Sequence, residues 1–382
     1  MTRAIVVGAG IGGLATAIAL APTDVDAVVL ERASDLSKVE LGAGITLWCN
    51  AMQVLDQLGV GQQVRANGAV LSCFEQRSHH GRLLSRWPLD EMARRHGAPV
   101  CGINRPDLHA ALAAAGGKYV TTGSPVSGFE QRNGTVSVKI ADGRAESGDA
   151  LIGADGLESV VRAQLLGSAP LRHSGLTMWR ANVVLPAQLA PKVDFTAWWG
   201  PGAKFVVFKS GPERTSWEGI VTSPPGIQDP PGERKRAVHE RFAGFVDPVH
   251  PIIEATDEES IFRTDVFDRV PDKQWGRGPV TLLGDAAHPM TFAVGQGAAQ
   301  ALEDALAVAS ALQTGTRDLD GALRGYEQQR IPRAAKFQTM AWRLARAGAL
   351  QKPPALALRN TIFQMSAPMA WRNQVKDMTI PG

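Results

Sequence analysis

The sequence has few cysteines, little clustered charge and no long apolar run, and each shortage closes off a class of protein. Its three cysteines, Cys49, Cys73 and Cys101, stand far apart and form no C-x-x-C pair. Neither a disulfide framework nor a zinc site is expected, no metal is called for, and a reducing compartment fits. The formal net charge is only +3 over 382 residues. The one mixed run, Glu233-Arg234-Lys235-Arg236, reads as a solvated helix start, so neither nucleic acid nor stable membrane association is expected. The opening Met1-Thr2-Arg3-Ala4-Ile5-Val6-Val7-Gly8 is apolar for too few residues to be a signal peptide or a membrane span. It reads as a buried strand running into glycines, the mature start of a cytoplasmic protein.

What is present suits a large folded unit. Hydrophobic residues make up 44% and charged residues 20%, near globular averages. The length fits one large α/β unit with a second, intimately joined part. Residues 4–7 read as a strand, 12–21 as a helix rich in small residues and 25–31 as a second strand, a βαβ opening. A helix is expected over 50–58 with Asn50 as N-cap, a hairpin over 70–87 around His79-His80-Gly81, and a helix from Arg105 through Ala115. Asn133-Gly134 and Asp142-Gly143 are hairpin signals, predicting a three-stranded meander whose last strand ends at Asp155-Gly156. Residues 177–221 are strand-like and 223–232 a loop. A strand over 280–283 leads into Gly284-Asp285, and helices fill most of the rest from Gly295 onward.

Gly8, Gly10 and Gly13 of Gly8-Ala9-Gly10-Ile11-Gly12-Gly13 fit G-x-G-x-x-G. The first glycine permits a tight turn, the second lets backbone approach a pyrophosphate, and the third lets helix pack on strand. N–H groups at the helix start then face the anion. The preceding strand, the following helix and Glu31 at the end of the next strand strengthen the pattern. A carboxylate there accepts from ribose hydroxyls and repels a 2′-phosphate, so FAD or NAD fits better than NADP. A second element runs Gly284-Asp285-Ala286-Ala287-His288-Pro289, then Gly295-Gln296-Gly297-Ala298 into an Ala-rich helix. The aspartate suits polyol hydroxyls. The helix start places partial positive charge where a reduced flavin is negative, which favours a flavin over a nicotinamide.

With Gly42-Ala43-Gly44-Ile45 before Asn50-Ala51, Arg105 with Leu108, and the run Gly153-Ala154-Asp155-Gly156 through Arg162, these motifs carry a resemblance. The chain resembles the class A FAD-dependent aromatic monooxygenases of the para-hydroxybenzoate hydroxylase fold. It looks most like short bacterial members similar to urate hydroxylase and 6-hydroxynicotinate monooxygenase. The resemblance covers nearly the whole chain. It implies a Rossmann-like FAD-binding domain, a parallel sheet plus β-meander, over 1–70, 98–170 and 275–345. Interleaved with it would be a mixed-sheet substrate domain over 71–97 and 171–274, followed by a helical segment over 346–382. The longer phenol hydroxylases have a further C-terminal domain that is not expected here.

The resemblance further implies that Gly12, Glu31 and Arg32 hold the adenosine half of FAD, with Arg105 near the pyrophosphate or ribityl chain; Gly8, Gly10, Gly13, Gly44 and Val126 are further cofactor-binding candidates. Asp155 would serve the FAD and nicotinamide donor, and Asp285 the ribityl chain. Gly295, Gln296, Gly297 and Ala298 would lie under the isoalloxazine ring. NADH or NADPH would reduce FAD, O2 would add at flavin C4a, and the hydroperoxide would pass one oxygen atom to a small aromatic or heterocyclic substrate. The chain would act as a monomer or homodimer.

Three positions depart from the pattern. Phe292 stands where many relatives have proline, and Cys49 likewise. Lys204 falls about where the urate hydroxylase resemblance places an arginine, and lysine is a poorer bidentate partner. Lys204, Phe292 and Arg180 are the candidate catalytic residues, each weighed against a plain reading as strand-end, packing or salt-bridge residue. Trp48, Phe208 and Trp217 are candidates for the substrate pocket, the last two by strand alternation. His288 reads as a structural hydrogen-bonder, His79 and His80 as surface residues, and Cys49 as no nucleophile. Alternatives on the same scaffold are Baeyer–Villiger oxidation or epoxidation, a flavin reductase or dehydrogenase without oxygen insertion, and a non-catalytic flavin protein. A Trp-x-Trp-x-Ile-Pro halogenase motif is missing.

Overall fold

A computed structural model describes residues 2–38, 42–132, 134–189, 192–315 and 318–380. The chain opens with β1 (Thr2–Val7), α1 (Ile11–Leu20), β2 (Val25–Leu30), β3 (Gly44–Leu47), α2 (Cys49–Gln57), α3 (Gly61–Asn67) and β4 (Ala69–Leu71). A hairpin of β5 (Cys73–Ser78) and β6 (Leu83–Pro88) follows, then α4 (Leu89–His96), β7 (Val100–Asn104), α5 (Arg105–Gly116) and β8 (Val120–Thr121). Next come β9 (Val126–Arg132), β10 (Thr135–Ile140), β11 (Ala145–Gly148), β12 (Ala150–Gly153) and α6 (Val160–Leu166). The second half holds β13 (Arg172–Val184), β14 (Phe195–Trp199), β15 (Ala203–Lys209), β16 (Arg214–Thr222), α7 (Arg234–Phe242), α8 (Val249–Glu254) and β17 (Phe262–Asp268). It ends with β18 (Val280–Leu282), α9 (Gly297–Thr314), α10 (Leu319–Gly348) and α11 (Pro353–Asp377).

Five parallel strands make the first sheet, in the order β18-β12-β1-β2-β8. Its strands are continuously apolar because both faces are covered: Ala4, Ile5 and Val6 are wholly buried. Helix α1 lies on one face, and its small residues let it approach closely. A Cβ on Gly12 would stand 2.6 Å from Leu283 Cδ1 and 3.4 Å from Ala301 on α9. Leu14 and Leu20 are fully buried, each contributing roughly 2 kcal/mol of transfer free energy.

The larger sheet has seven strands, β17-β13-β16-β15-β14-β5-β6. All its pairs are antiparallel except β14 with β5. One face packs Phe205, Val207 and Trp217 against Val238 and Phe242 of α7 and Val249 and Ile252 of α8. The other face looks back toward the parallel sheet. A small sheet, β3-β7-β4, joins the two.

Two local expectations are corrected. The meander β9-β10-β11 ends at Gly148. The next strand, β12, is not its last strand but inserts into the parallel sheet, with Asp149 Oδ2 accepting from Arg3 N at 2.8 Å at the switch. Asn133 of the first hairpin signal lies outside the described residues, while Gly134 beside it takes φ +78°. Helix α2 begins at Cys49, so Asn50 is in its first turn and not its cap. The Asn50 side chain is buried and donates to Gln296 Oε1 at 2.9 Å and Glu303 Oε1 at 2.7 Å. No helix among the described residues is long and apolar enough to cross a membrane.

Candidate active site

A long cavity of about 960 Å3 runs from the carboxyl ends of the parallel strands to the inner face of the seven-stranded sheet. The loops after β1, β12 and β18 converge at its first end, bringing together Gly10, Gly12, Ala154, Gly156, Leu283 and Asp285. Open α/β sheets place their ligands at this edge. The loop after β1 is shaped by need. Gly8 has φ +101°, and a Cβ on Gly13 would fall 1.8 Å from Gly8 O. Gly8 and Gly13 therefore hold the turn, while Gly10 and Gly12 face the cavity. Gly10 caps α1 without a side-chain hydrogen bond, leaving first-turn N–H groups for an anion.

Glu31 is 6% exposed and sits behind that loop. Its Oε2 accepts from Ala9 N at 2.8 Å and its Oε1 from Ala33 N at 2.7 Å. A carboxylate has lone pairs beyond two, so acceptor capacity for ribose hydroxyls remains. Arg32 is exposed beside it, and Val126 opens β9 half-buried against the core. Glu31, Arg32 and Val126 do not line the cavity itself. Arg105, the first residue of α5, does.

Asp155 is tied to the start of the next helix. It accepts from Ser159 Oγ at 2.5 Å, Val160 N at 2.8 Å and Val161 N at 3.2 Å, tying down the start of α6. Burial raises its pKa against those bonds. Arg162 is also turned inward, donating to Ala286 O at 3.1 Å and pairing with Asp272. It thereby braces the turn that presents Asp285, whose own side chain is exposed at the cavity.

Midway, the loop before α9 contributes Gly295, Gly297 and Ala298. Gly295 has φ +63°, and a Cβ there would meet Trp48 Nε1 at 2.9 Å. Trp48 Nε1 is buried without a hydrogen-bond partner. Helix α9 starts with no side-chain cap, so its N–H groups are open. Gln296 differs from its neighbours: at 1% exposure its side chain turns away from the cavity into a polar core with Asn50 and Gln300. That core continues to His288, which has the structural role read from the sequence. His288 Nε2 lies 2.5 Å from Asp304 Oδ2, and Asp304 also accepts from Gly284 N at 3.0 Å and Arg330 Nε at 2.7 Å. Burial alone would raise the Asp304 pKa, but the charges of His288 and Arg330 outweigh it and hold it near about 2.

The far end of the cavity is aromatic and charged. Lys204, Val206 and Phe208 of β15 alternate onto this face. Lys204 is half-buried, with Nζ 4.7 Å from the Trp199 ring. Burial lowers its pKa to about 8, opposed by the charge of Glu218. Arg180 and Phe292 also line the cavity, Phe292 on a short 3-10 turn, Phe292–Val294. Helices α10 and α11 close the side with Leu344, Phe363, Ala367 and Ala370.

Trp217 is not a pocket residue. In the register of β15 with β16, Phe208 faces Ser216 and Val207 faces Trp217. Directly opposed residues share a face, so Phe208 points into the cavity and Trp217 points away. Trp217 is wholly buried, stacks on Phe205 at 5.4 Å and donates to Thr256 Oγ1 at 2.9 Å. The residue that takes its expected place is Glu218, which sequence reasoning missed. It pairs with Arg180 on β13 and Val206 on β15. Burial raises its pKa, partly offset by Lys204 and Arg180. Phe74, Trp87 and Phe195 were missed as well. A charge one residue from a tryptophan, at opposite parity, was the available signal for Glu218.

The uncapped starts of α1 and α9, the glycine cradle and the partnerless Trp48 Nε1 fit an FAD in this cavity. Residues 1–341 match the family model described as FAD binding domain. The chain is 38% identical to aurachin C monooxygenase/isomerase of Stigmatella aurantiaca, over 94% of this chain and 93% of that protein. It is 33% identical to FAD-dependent urate hydroxylase of Klebsiella pneumoniae, over 87% and 86%. The crystal structure of Klebsiella pneumoniae HpxO complexed with FAD and uric acid superposes with a TM-score of 0.91 at 29% identity, covering 99% of this chain and 96% of that one.

Proposed function

The chain belongs to the FAD-binding domain family, among the FAD-dependent monooxygenases of aromatic and heteroaromatic rings, and from that premise we propose that it draws electrons from NADH or NADPH and inserts one oxygen atom of O2 into a small ring bound beside Lys204. The carrying observation is the far end of the cavity, where a cation of lowered pKa stands among aromatic walls beyond the 295–298 loop.

In this reading Gly10, Gly12, Arg105 and the start of α1 hold the pyrophosphate, while Glu31, Arg32 and Val126 hold the adenosine half. Asp285 takes the ribityl hydroxyls, and Gly295, Gly297 and Ala298 face the ring system with the partial positive charge of α9. Gly8, Gly13 and Asp155 shape the cradle, and Gly44, which lines the cavity, faces the ligand. FAD, when bound, supplies electron transfer from the nicotinamide and activation of O2; the chain supplies position, dryness and charge. Lys204 donates to a ring oxygen and stabilises its anionic form, which makes the ring electron-rich. Phe208, Trp48 and Phe292 hold the ring plane and exclude water. Lysine offers a point charge and not the planar fork of an arginine, which weighs against urate in this reading.

The test is NADH or NADPH oxidation by FAD-loaded protein against phenolic, heteroaromatic and cyclic ketone compounds, with products weighed by mass spectrometry. Substrate-stimulated oxidation with one oxygen atom in a ring product is the expected result. Consumption without oxygen in any product would make the protein a reductase and end the proposal. Phe292, which crowds the ring position, favours one second reading, oxygen delivery to a ketone or alkene; a lactone or epoxide among the products would establish it.

A further inference from the structure

Glu218 has no place in the chemistry above, yet it is the one acidic side chain on the inner face of β16 within the cavity lining. Its neighbours are fixed by register. Arg180 lies directly across on β13, and Lys204 sits on β15 at the diagonal position, two residues along from Val206, which is opposite Glu218. Diagonal positions stand roughly 7 Å apart, within reach of long side chains. The Lys204 and Glu218 heads act on each other through space. Among the described residues, no hydrogen bond or ion pair joins the two heads, and the charge of Arg180 also acts on Glu218. An acid and a base thus face one cavity with a gap between them, walled by the Trp199 and Phe208 rings. Both residues are half-buried and line the cavity, so a ligand that enters the gap can engage the two heads together.

We propose that Glu218 is a specificity-determining residue which, with Lys204, reads one edge of the substrate ring, and that the edge it selects is a lactam. The ring N–H donates to the Glu218 carboxylate, and the adjacent carbonyl oxygen accepts from the Lys204 ammonium. This rests on the monooxygenase reading and narrows its substrate class to hydroxylated N-heteroaromatics in their lactam form. Glu218 turns away simple ring carboxylates by repulsion. It also disfavours rings lacking the N–H, because such a ring displaces water from the carboxylate without replacing the hydrogen bond, the kind of mismatch that gives discrimination.

The experiment uses the FAD-loaded protein and the change in flavin absorbance on ligand binding to obtain Kd. The ligands are lactams of one, two and three rings, their N-methyl derivatives, the parent rings without oxygen, and salicylate. In the wild type, N-methylation is expected to weaken binding at least about tenfold, the loss of a hydrogen bond to a charged group. In Glu218→Leu, lactam and N-methyl lactam bind equally; in Lys204→Met the N-methyl penalty persists while the penalty for removing the oxygen disappears. Glu218→Gln, which keeps size and shape, shows a smaller N-methyl penalty than the wild type and serves if the leucine variant does not fold. The proposal is overturned if N-methylation costs less than about threefold, if Glu218→Leu weakens both ligands alike, if no lactam binds, or if salicylate binds more tightly than every lactam. Failure of the monooxygenase reading looks different: no ring of any kind then acquires oxygen.

Discussion

Lys204 carries a consequence that a titration can read. Its pKa is near about 8 against an ordinary 10.5, lowered by burial and partly restored by Glu218. Below 8 it is an ammonium and holds an anionic or carbonyl oxygen; as pH rises through 8 that charge is lost. Affinity for an oxygen-bearing ring should therefore fall above pH 8. Lys204→Arg should flatten the profile, since the guanidinium stays charged. Lys204→Met should lower kcat/KM by roughly ten- to a hundredfold, the worth of a charged hydrogen bond. The stability effect has the opposite slope. Between 8 and 10.5 the unfolded chain keeps a proton that the folded chain has released, so this residue's contribution to stability rises with pH across that window. A second prediction concerns Gly13. Its missing Cβ would lie 1.8 Å from Gly8 O, so Gly13→Ala should displace the loop after β1. Loss of bound FAD, followed by absorbance at the flavin band, should accompany a lower melting temperature.

The element that most controls the site without lining it is the polar core between α9 and α10. Glu303 and Asp304 on α9 receive Arg330 of α10, and Asp304 anchors both His288 and the backbone of Gly284. Asp304→Asn removes one of the two buried carboxylates that pair with Arg330 and weakens the bond to His288, and the expected cost is about 3 kcal/mol, measurable by urea unfolding. The wild type should also lose stability as pH falls from 3.8 toward about 2, because the folded pKa of Asp304 is the lower one. At this scale much was legible. The glycines at 8, 10 and 13 between two apolar runs announce β1, α1 and β2, and Gly284-Asp285 marks the end of β18. What was not legible is pairing at a distance. β5 lies parallel to β14 across more than a hundred residues, and nothing local encodes that register. One step of parity then exchanges the roles of Trp217 and Glu218.

At the scale of the whole molecule, the substrate end of the cavity is built by parts that meet only in the finished fold: β5–β6, the inner face of β13 to β16, the turn at Phe292, and the helices α10 and α11. Ala370 lines the cavity from α11, so Ala370→Trp should raise KM for bulky rings far more than it changes FAD affinity. Equal losses in both would show that α11 acts on the cofactor end instead. The interleaving has a further consequence for how the protein comes into being. The parallel sheet places β18, from residues 280–282, against β12, next to β1 from residues 2–7. On the ribosome, synthesis runs from the N-terminus at about 5–20 residues per second, so the glycine loop leaves the tunnel long before its neighbouring strand and the helix start at Gly297 exist. The nascent chain is therefore expected to retain no flavin while it is still being made. Cofactor capture becomes the last event of maturation, and a chain interrupted before residue 280 is a colourless one.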